Sequence, residues 1–224
     1  GIPAQETLLG IYAGTPVVAC KDFENQGKQL MEFAMLKNSL INSSQNGYGT
    51  ELSDILSAIE DQELIPVQKL KEYFWNMFIV DAFLGNFDRH NGNWGMLVDS
   101  NRNEATIAPV YDCGSCLYPK PTDEQISQIV SSEKEINNRI YVFPTSEIKI
   151  NNTKINYFDF ISSLQNEDCT EALKRIAPRI DLSTIYEIVD QTPHLSNIRR
   201  EFYKMMLQRR KEAIIDYTMR KLTN

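Results

Sequence analysis

Asp88, Asn93 and Asp112 are the residues whose types and spacing point most directly to chemistry. Two carboxylates and one amide oxygen are the hard-oxygen donors that magnesium prefers, and a carboxylate can also orient a hydroxyl and accept its proton. Phosphoryl transfer asks little more of a protein, because its catalysis rests on holding the metal and phosphates and on positioning the attacking oxygen. The segment from Gly85 to Val98 reads Gly-Asn-Phe-Asp-Arg-His-Asn-Gly-Asn-Trp-Gly-Met-Leu-Val, and it is followed by the polar turn Asp99–Asn103 and by Ala105-Thr-Ile-Ala-Pro-Val-Tyr-Asp-Cys-Gly114. Two apolar strands around a turn form a hairpin, which returns the chain and brings Asn93, before the first strand, close to Asp112, after the second. Asp88 faces the same point from the loop ahead.

The elements around this insert must hold it still. Pro66 opens a helix running to about Leu84, in which Leu70, Phe74, Met77, Phe78 and Ala82 recur at three- and four-residue steps and define a deeply buried face. Further helices are expected over 51–62, 123–137, 158–164, 171–176, 182–189 and 196–221, the pattern after residue 23 being helical apart from the insert. Thr7–Tyr12 and Pro16–Cys20 flank the turn Ala13-Gly14-Thr15 and read as a β-hairpin. A lone hairpin is marginal in water, so these strands are expected to belong to a larger sheet extending upstream of residue 1.

Composition narrows the class. With 224 residues and 42% hydrophobic content the chain can bury a sizeable core, and it has no run of apolar residues long enough for a membrane span. A net charge of −7 argues against general nucleic-acid binding, although Arg199, Arg200, Arg209, Arg210 and Lys211 form a basic cluster that reads as a solvated helix face. The four cysteines and the absence of a signal-like opening suggest a reducing cytoplasm, and Cys113-Gly-Ser-Cys116, a single C-x-x-C, reads as ordinary thiols.

Asp88 and Asn93 stand five positions apart, the step that separates the catalytic Asp from the metal-binding Asn in the protein-kinase catalytic loop, and Asp112-Cys113-Gly114 has the D-x-G form of the second metal-binding segment. Protein kinases place His and Arg before the catalytic Asp, whereas here Arg89 and His90 follow it. This D-R-H-x-x-N order, with a hairpin and an apolar-Tyr-Asp segment behind it, resembles the HipA-like serine/threonine kinases, including their short CtkA-like members, and more distantly the phosphatidylinositol kinases. The resemblance implies an α+β, protein-kinase-like fold, with residues 1–23 as the remnant of a truncated N-lobe sheet and hinge and 24–224 as a mostly helical C-lobe. It implies ATP and magnesium as cofactors, Asp88 as catalytic base, Asn93 and Asp112 as metal ligands, and His90 as a loop residue that orients the second acidic segment. The strand Val17–Cys20 running into Lys21-Asp22-Phe23 matches the interlobe hinge, so the backbone of Cys20 and Asp22, with Phe23 beside them, is expected to meet adenine.

Neither a glycine-rich loop nor a strand-borne lysine precedes residue 17, and Lys21 and Lys28 fall at or beyond the hinge. The resemblance implies a protein substrate, or the kinase itself as substrate, and an antitoxin-like partner protein; lipid phosphorylation, a non-catalytic binding module and a magnesium-dependent hydrolase are the competing readings. Each residue also has a structural reading. Asp88 can cap a turn or pair with Arg89, Asn93 can be a turn residue, Asp112 can be a strand end, and His90 can bond to its neighbours. Asp81, on a mostly apolar helix, is expected to face solvent rather than the loop. Trp75 and Trp94 read as core, and His194 as a boundary residue.

Overall fold

The computed structural model of the chain describes residues 2–24, 27–41, 45–102 and 104–223. Thr7–Tyr12 (β1) and Thr15–Cys20 (β2) pair antiparallel with Leu9 opposite Val18, and the turn between them places Ala13 and Gly14 at positive φ. The hairpin is the expected one, yet every residue from Glu6 to Asp22 is exposed. Ahead of it, Gln5 donates to the Val110 carbonyl and Val110 to the Pro3 carbonyl, both at 2.8 Å, which ties the N-terminal segment to the stretch leading into Asp112.

The reading of a helical pattern from residue 23 onward is overturned at Lys28–Glu32, which forms a strand (β3). Phe33–Leu40 (α1) follows directly, then Leu52–Asp61 (α2) and Val67–Leu84 (α3), the latter two where the apolar periodicity placed them. Gly95–Asp99 (β4) and Glu104–Ile107 (β5) form the hairpin of the insert, and β3 adds to its outer side in the order β3-β4-β5, with Glu32 opposite Gly95 and Leu30 opposite Leu97. A Cβ on Gly95 would sit 2.2 Å from the Met31 carbonyl oxygen, so the close approach of β3 requires glycine there.

The remaining chain is mostly helical: Asp123–Val130 (α4), Glu133–Asn137 (α5), a π-helical turn Asn138–Val142, the two-residue strands Lys149–Ile150 (β6) and Thr153–Lys154 (β7), Tyr157–Ser163 (α6), Glu167–Ile176 (α7), Leu182–Gln191 (α8), Asn197–Arg210 (α9), a π-helical stretch Lys211–Asp216 and Tyr217–Thr223 (α10). The single helix expected over 123–137 is broken, because Ser132 caps α5 by accepting the Glu135 N–H. The solvated-face reading of the basic cluster fails at Arg210, which is fully buried, its guanidinium accepted by the Ala82 carbonyl at 2.6 and 2.9 Å and within 3.1 Å of the Tyr118 hydroxyl. An arginine at this place satisfies carbonyls in the last turn of α3, the negative end of that helix, which is why it is tolerated inside.

The core is built around α3. Phe33 stacks on Trp94 with centroids 4.0 Å apart, Phe74 and Tyr73 close on the same indole, and all four residues are buried. Burying a side chain such as Phe33 is worth about 1.5–3 kcal/mol. Because Trp94 directly follows Asn93, the core anchors the end of the polar insert.

Candidate active site

Gly85, in the left-handed region at φ 69°, stops α3, and its N–H and that of Asn86 both return to the Asp81 carbonyl. Asp81 does not face solvent. It is 2% exposed and takes three bonds: Asn86 Nδ2 at 2.8 Å, Arg89 Nε at 3.0 Å and Arg89 Nη2 at 3.2 Å. The ion pair that Asp88 could have made with Arg89 is therefore made by Asp81 instead. Burial would lower the pKa of Arg89, but the contact with Asp81 outweighs it and holds the guanidinium above its usual value.

Arg89 uses its remaining donors to hold two segments together. Nη1 donates to the Asn93 carbonyl at 2.7 Å and to the Tyr111 carbonyl at 2.6 Å, and Nη2 reaches Cys113 Sγ at 3.6 Å. One planar group thus spans the loop of Asp88 and the segment of Asp112. Tyr111 adds a second link by donating to the Gly92 carbonyl at 3.0 Å, and burial, followed by the Glu32 carboxylate, raises the phenol's pKa so that it stays a donor. Asp112 sits between these contacts at φ 50°, a conformation unusual for a residue with a Cβ.

The loop is also fixed from below. The first two N–H groups of α1, which has no side-chain cap, are accepted by the carbonyls of Trp94 and Asn91 at 2.9 Å. Asn91 Nδ2 donates to the Gly47 and Gly49 carbonyls, and the buried Tyr157 hydroxyl donates to the Asn86 carbonyl at 2.8 Å. Within this frame Asn93 Nδ2 donates to the Asp88 carbonyl at 2.9 Å, which fixes the amide and leaves Oδ1 without a hydrogen bond among the described residues. The side chains of Asp88 and Asp112 are exposed and likewise make no hydrogen bond or ion pair among the described residues. The sequence reading named the three free oxygen groups. It missed Asp81 and Arg89 as their scaffold, although an acid in the last turn of an apolar helix is itself a signal of a buried partner.

His90 stays within its own loop: Nδ1 accepts the Gly92 N–H at 3.0 Å, and the ring lies edge-on to Tyr48. The contacts to the second acidic segment come from Arg89 and Tyr111, not from His90. Asp22 and Phe23 line a cavity of about 190 Å³ with Leu97 of β4 and Pro109, and Phe23 packs edge-on against Tyr111 at 5.6 Å. Cys20 is exposed at the end of β2, paired with Thr7, and does not line that cavity.

Cys113 and Cys116 close a turn in which the Cys116 N–H donates to the Cys113 carbonyl at 3.1 Å. A hydrogen bond from the Cys116 thiol and then the charge of Arg89 bring Cys113 down to about 6, while the same bond and burial push Cys116 up. Among the described residues no three His, Cys, Asp or Glu side chains form a metal-binding group.

A serine/threonine-protein kinase CtkA of Helicobacter pylori is 50% identical over 217 residues, covering 96% of this chain and 67% of CtkA. The chain belongs to the HipA-like serine/threonine kinases of the CtkA type. The crystal structure of the H. pylori proinflammatory kinase CtkA matches with a TM-score of 0.95 and 49% identity, over 98% of this chain and 80% of that one. The HipA toxin of Shewanella oneidensis, solved with HipB and operator DNA, shares the fold at a TM-score of 0.62 and 12% identity, over 98% of this chain and 53% of that one. No protein-family model matches the chain. These matches bear out the kinase-like α+β fold. Among the described residues no helix of this HipA-like kinase is long and apolar enough to cross a membrane.

Proposed function

We propose that this HipA-like kinase transfers the γ-phosphate of ATP to serine or threonine hydroxyls of a protein, or of itself, with Asp88 as the base. The observation that carries the reading is the contrast within one loop: the Asp88 backbone is held by Asn86 and Asn93, while its carboxylate is exposed and unpartnered. A carboxylate positioned in this way can orient an incoming hydroxyl and accept its proton without first breaking a bond of its own.

Asn93 Oδ1 and the Asp112 carboxylate suit Mg²⁺, being hard oxygens with no other partner among the described residues. The bound ion would neutralise charge on the transferring phosphoryl group, with phosphate and water supplying its remaining ligands. Arg89 keeps the Asn93 and Tyr111 carbonyls at a fixed separation, so Asn93 and Asp112 are presented together without a protein-only cage. His90 acts by shaping the loop through Gly92. Residues 1–23 serve as hinge and N-lobe side of the nucleotide cleft, where Asp22 and Phe23 flank the adenine, and 24–224 serve as the C-lobe. An antitoxin-like partner follows from the likeness to HipA, and the reducing cytoplasm suits four free cysteines. The net charge of −7 favours protein partners over direct contact with DNA.

The test is transfer of labelled γ-phosphate by the full-length chain with magnesium present or chelated. Asp88→Ala should leave the melting curve intact and lower turnover by about two to four orders of magnitude. Equal labelling by the variant would remove Asp88 from the mechanism, and no labelling by the parent would favour a binding module.

A further inference from the structure

Phe87 immediately precedes Asp88 and lines a cavity of about 350 Å³ together with Tyr118, Pro121, Arg139 and Phe143. The rings of Phe87 and Phe143 stand 5.5 Å apart, and Phe143 is 50% exposed, so this wall shows an aromatic face to solvent one residue ahead of Asp88 in the chain. Lys120 lies at the mouth with its ammonium 5.7 Å from the Phe87 centroid. Arg139 is already committed to Glu135 at 2.8 Å, whereas Lys120 is exposed and has no carboxylate partner among the described residues. An adjoining hollow of about 500 Å³ shares Lys120, Pro121 and Arg139 and continues along α4 past Gln125 and Gln128. The result is a trough with an apolar slot at the Phe87 end, the Lys120 cation over the slot, and a floor beyond that carries Gln125, Gln128 and the Arg139–Glu135 pair.

We propose that this trough is the acceptor-polypeptide subsite: Phe87 and Phe143 take a large apolar side chain one or two residues from the phosphorylated serine or threonine, and Lys120 selects an acidic residue beside it. The inference rests on the kinase reading of Asp88. Chain dimensions put the slot within reach, since consecutive Cα atoms are about 3.8 Å apart and an extended polypeptide rises about 3.3 Å per residue, so residues next to a hydroxyl held at Asp88 can span to the wall that Phe87 forms. A slot of this volume walled by aromatic rings rewards a large apolar group, and few polar groups are needed to orient it. The charge preference is local, because the chain as a whole carries −7 while its free cation here stands at the slot.

The test is a serine- and threonine-centred peptide library phosphorylated by the full-length chain, followed by kcat and KM on the selected peptide. The expected result is enrichment of Phe, Tyr or Leu and of Asp or Glu next to the acceptor. Phe143→Ala should lower kcat/KM on that peptide about tenfold or more, chiefly through KM. Lys120→Glu should convert the acidic preference into a basic one. Flat selectivity with Asp88-dependent labelling would overturn the subsite and leave the kinase reading standing. If nothing is labelled, the kinase reading fails, and fluorescence anisotropy judges the trough alone: a peptide carrying Phe and Glu must bind more tightly than its Ala and Lys counterpart, with the difference lost in Lys120→Glu, and equal binding overturns it.

Discussion

The loop Asn86–Trp94 and the hairpin β1–β2 are both irregular in burial for what they are. The loop, which should be on the surface, is mostly buried, and the hairpin, which should cover a core, is exposed throughout. The Asp88 backbone is bonded within the loop by Asn86, His90 and Asn93. Other backbone groups of the loop are bonded by α1, α3, Tyr111 and Tyr157, and the Asn91 side chain ties the loop to the carbonyls of Gly47 and Gly49. The hairpin holds itself by its own ladder and reaches the rest through Pro3–Gln5 and Val110. The segment proposed for phosphate transfer is thus held by the helical lobe, while the segment read as the adenine-facing half adjoins a ribbon whose residues are all exposed. Preorganisation is concentrated where charge must be placed accurately, which is where it contributes most to rate.

The comparison breaks most visibly at Arg89. Arg89→Ala leaves Asp81 buried and unpaired, a loss of about 3–5 kcal/mol, which for a chain of this size is a fall in Tm of roughly 6–20 °C. Thermal melting measures this, and a fall below about 2 °C, the effect of one ordinary surface change, would deny the guanidinium its central place. The double variant Arg89→Met with Asp81→Leu removes both charges and should recover much of the stability. Its activity should stay depressed by about a hundredfold, since the Asn93 and Tyr111 carbonyls are no longer tied together. Full activity in the refolded double variant would mean that Arg89 serves stability alone.

The same guanidinium acts on Cys113 after the Cys116 thiol, and both favour the thiolate, so the sign is a depressed pKa. In metal-free protein the alkylation rate of Cys113 should rise with pH through a midpoint of about 6 rather than the roughly 8.5 of an ordinary thiol. Cys116→Ala, which removes the donor, should move that midpoint upward. Iodoacetamide labelling read by mass spectrometry across pH 5–9 decides it, and a midpoint above 8, roughly the ordinary value, would show that Cys113 feels neither neighbour.

What the sequence made legible follows the reach of local signals. The β1–β2 hairpin, α2, α3 and the hairpin after Trp94 were readable because apolar period and turn residues are properties of short windows. The oxygen groups of Asp88, Asn93 and Asp112 were readable because their spacing is itself a pattern. Lys28–Glu32 was not, since Lys, Gln, Leu, Met and Glu all favour helix and only pairing with β4 makes the segment a strand. Arg210 was misread for a related reason, since it meets the Ala82 carbonyl across 128 positions, whereas the partners of Asp81 stand only five and eight positions on, in a loop whose return onto the helix no periodicity shows. His90, two positions after Asp88, was named through the D-R-H-x-x-N order; its ring bonds to Gly92, while Arg89 between them carries the links to the second segment.

The hairpin supplies the smallest effect and the sharpest test of the contrast. Leu9 and Ile11 point to one side of β1 and Leu8 to the other, and at 52%, 62% and 75% exposure none is covered on either side. Replacing Leu8, Leu9 and Ile11 together with threonine keeps strand propensity and removes apolar surface that is already in water. In this chain the urea midpoint should therefore shift by the equivalent of no more than about 0.5 kcal/mol. Turnover by the full-length chain is a separate reading, because these residues stand beside the segment read as the hinge. A stability loss beyond about 1 kcal/mol would mean that the hairpin is packed against something in solution, and the two halves of the site would then be equally preorganised.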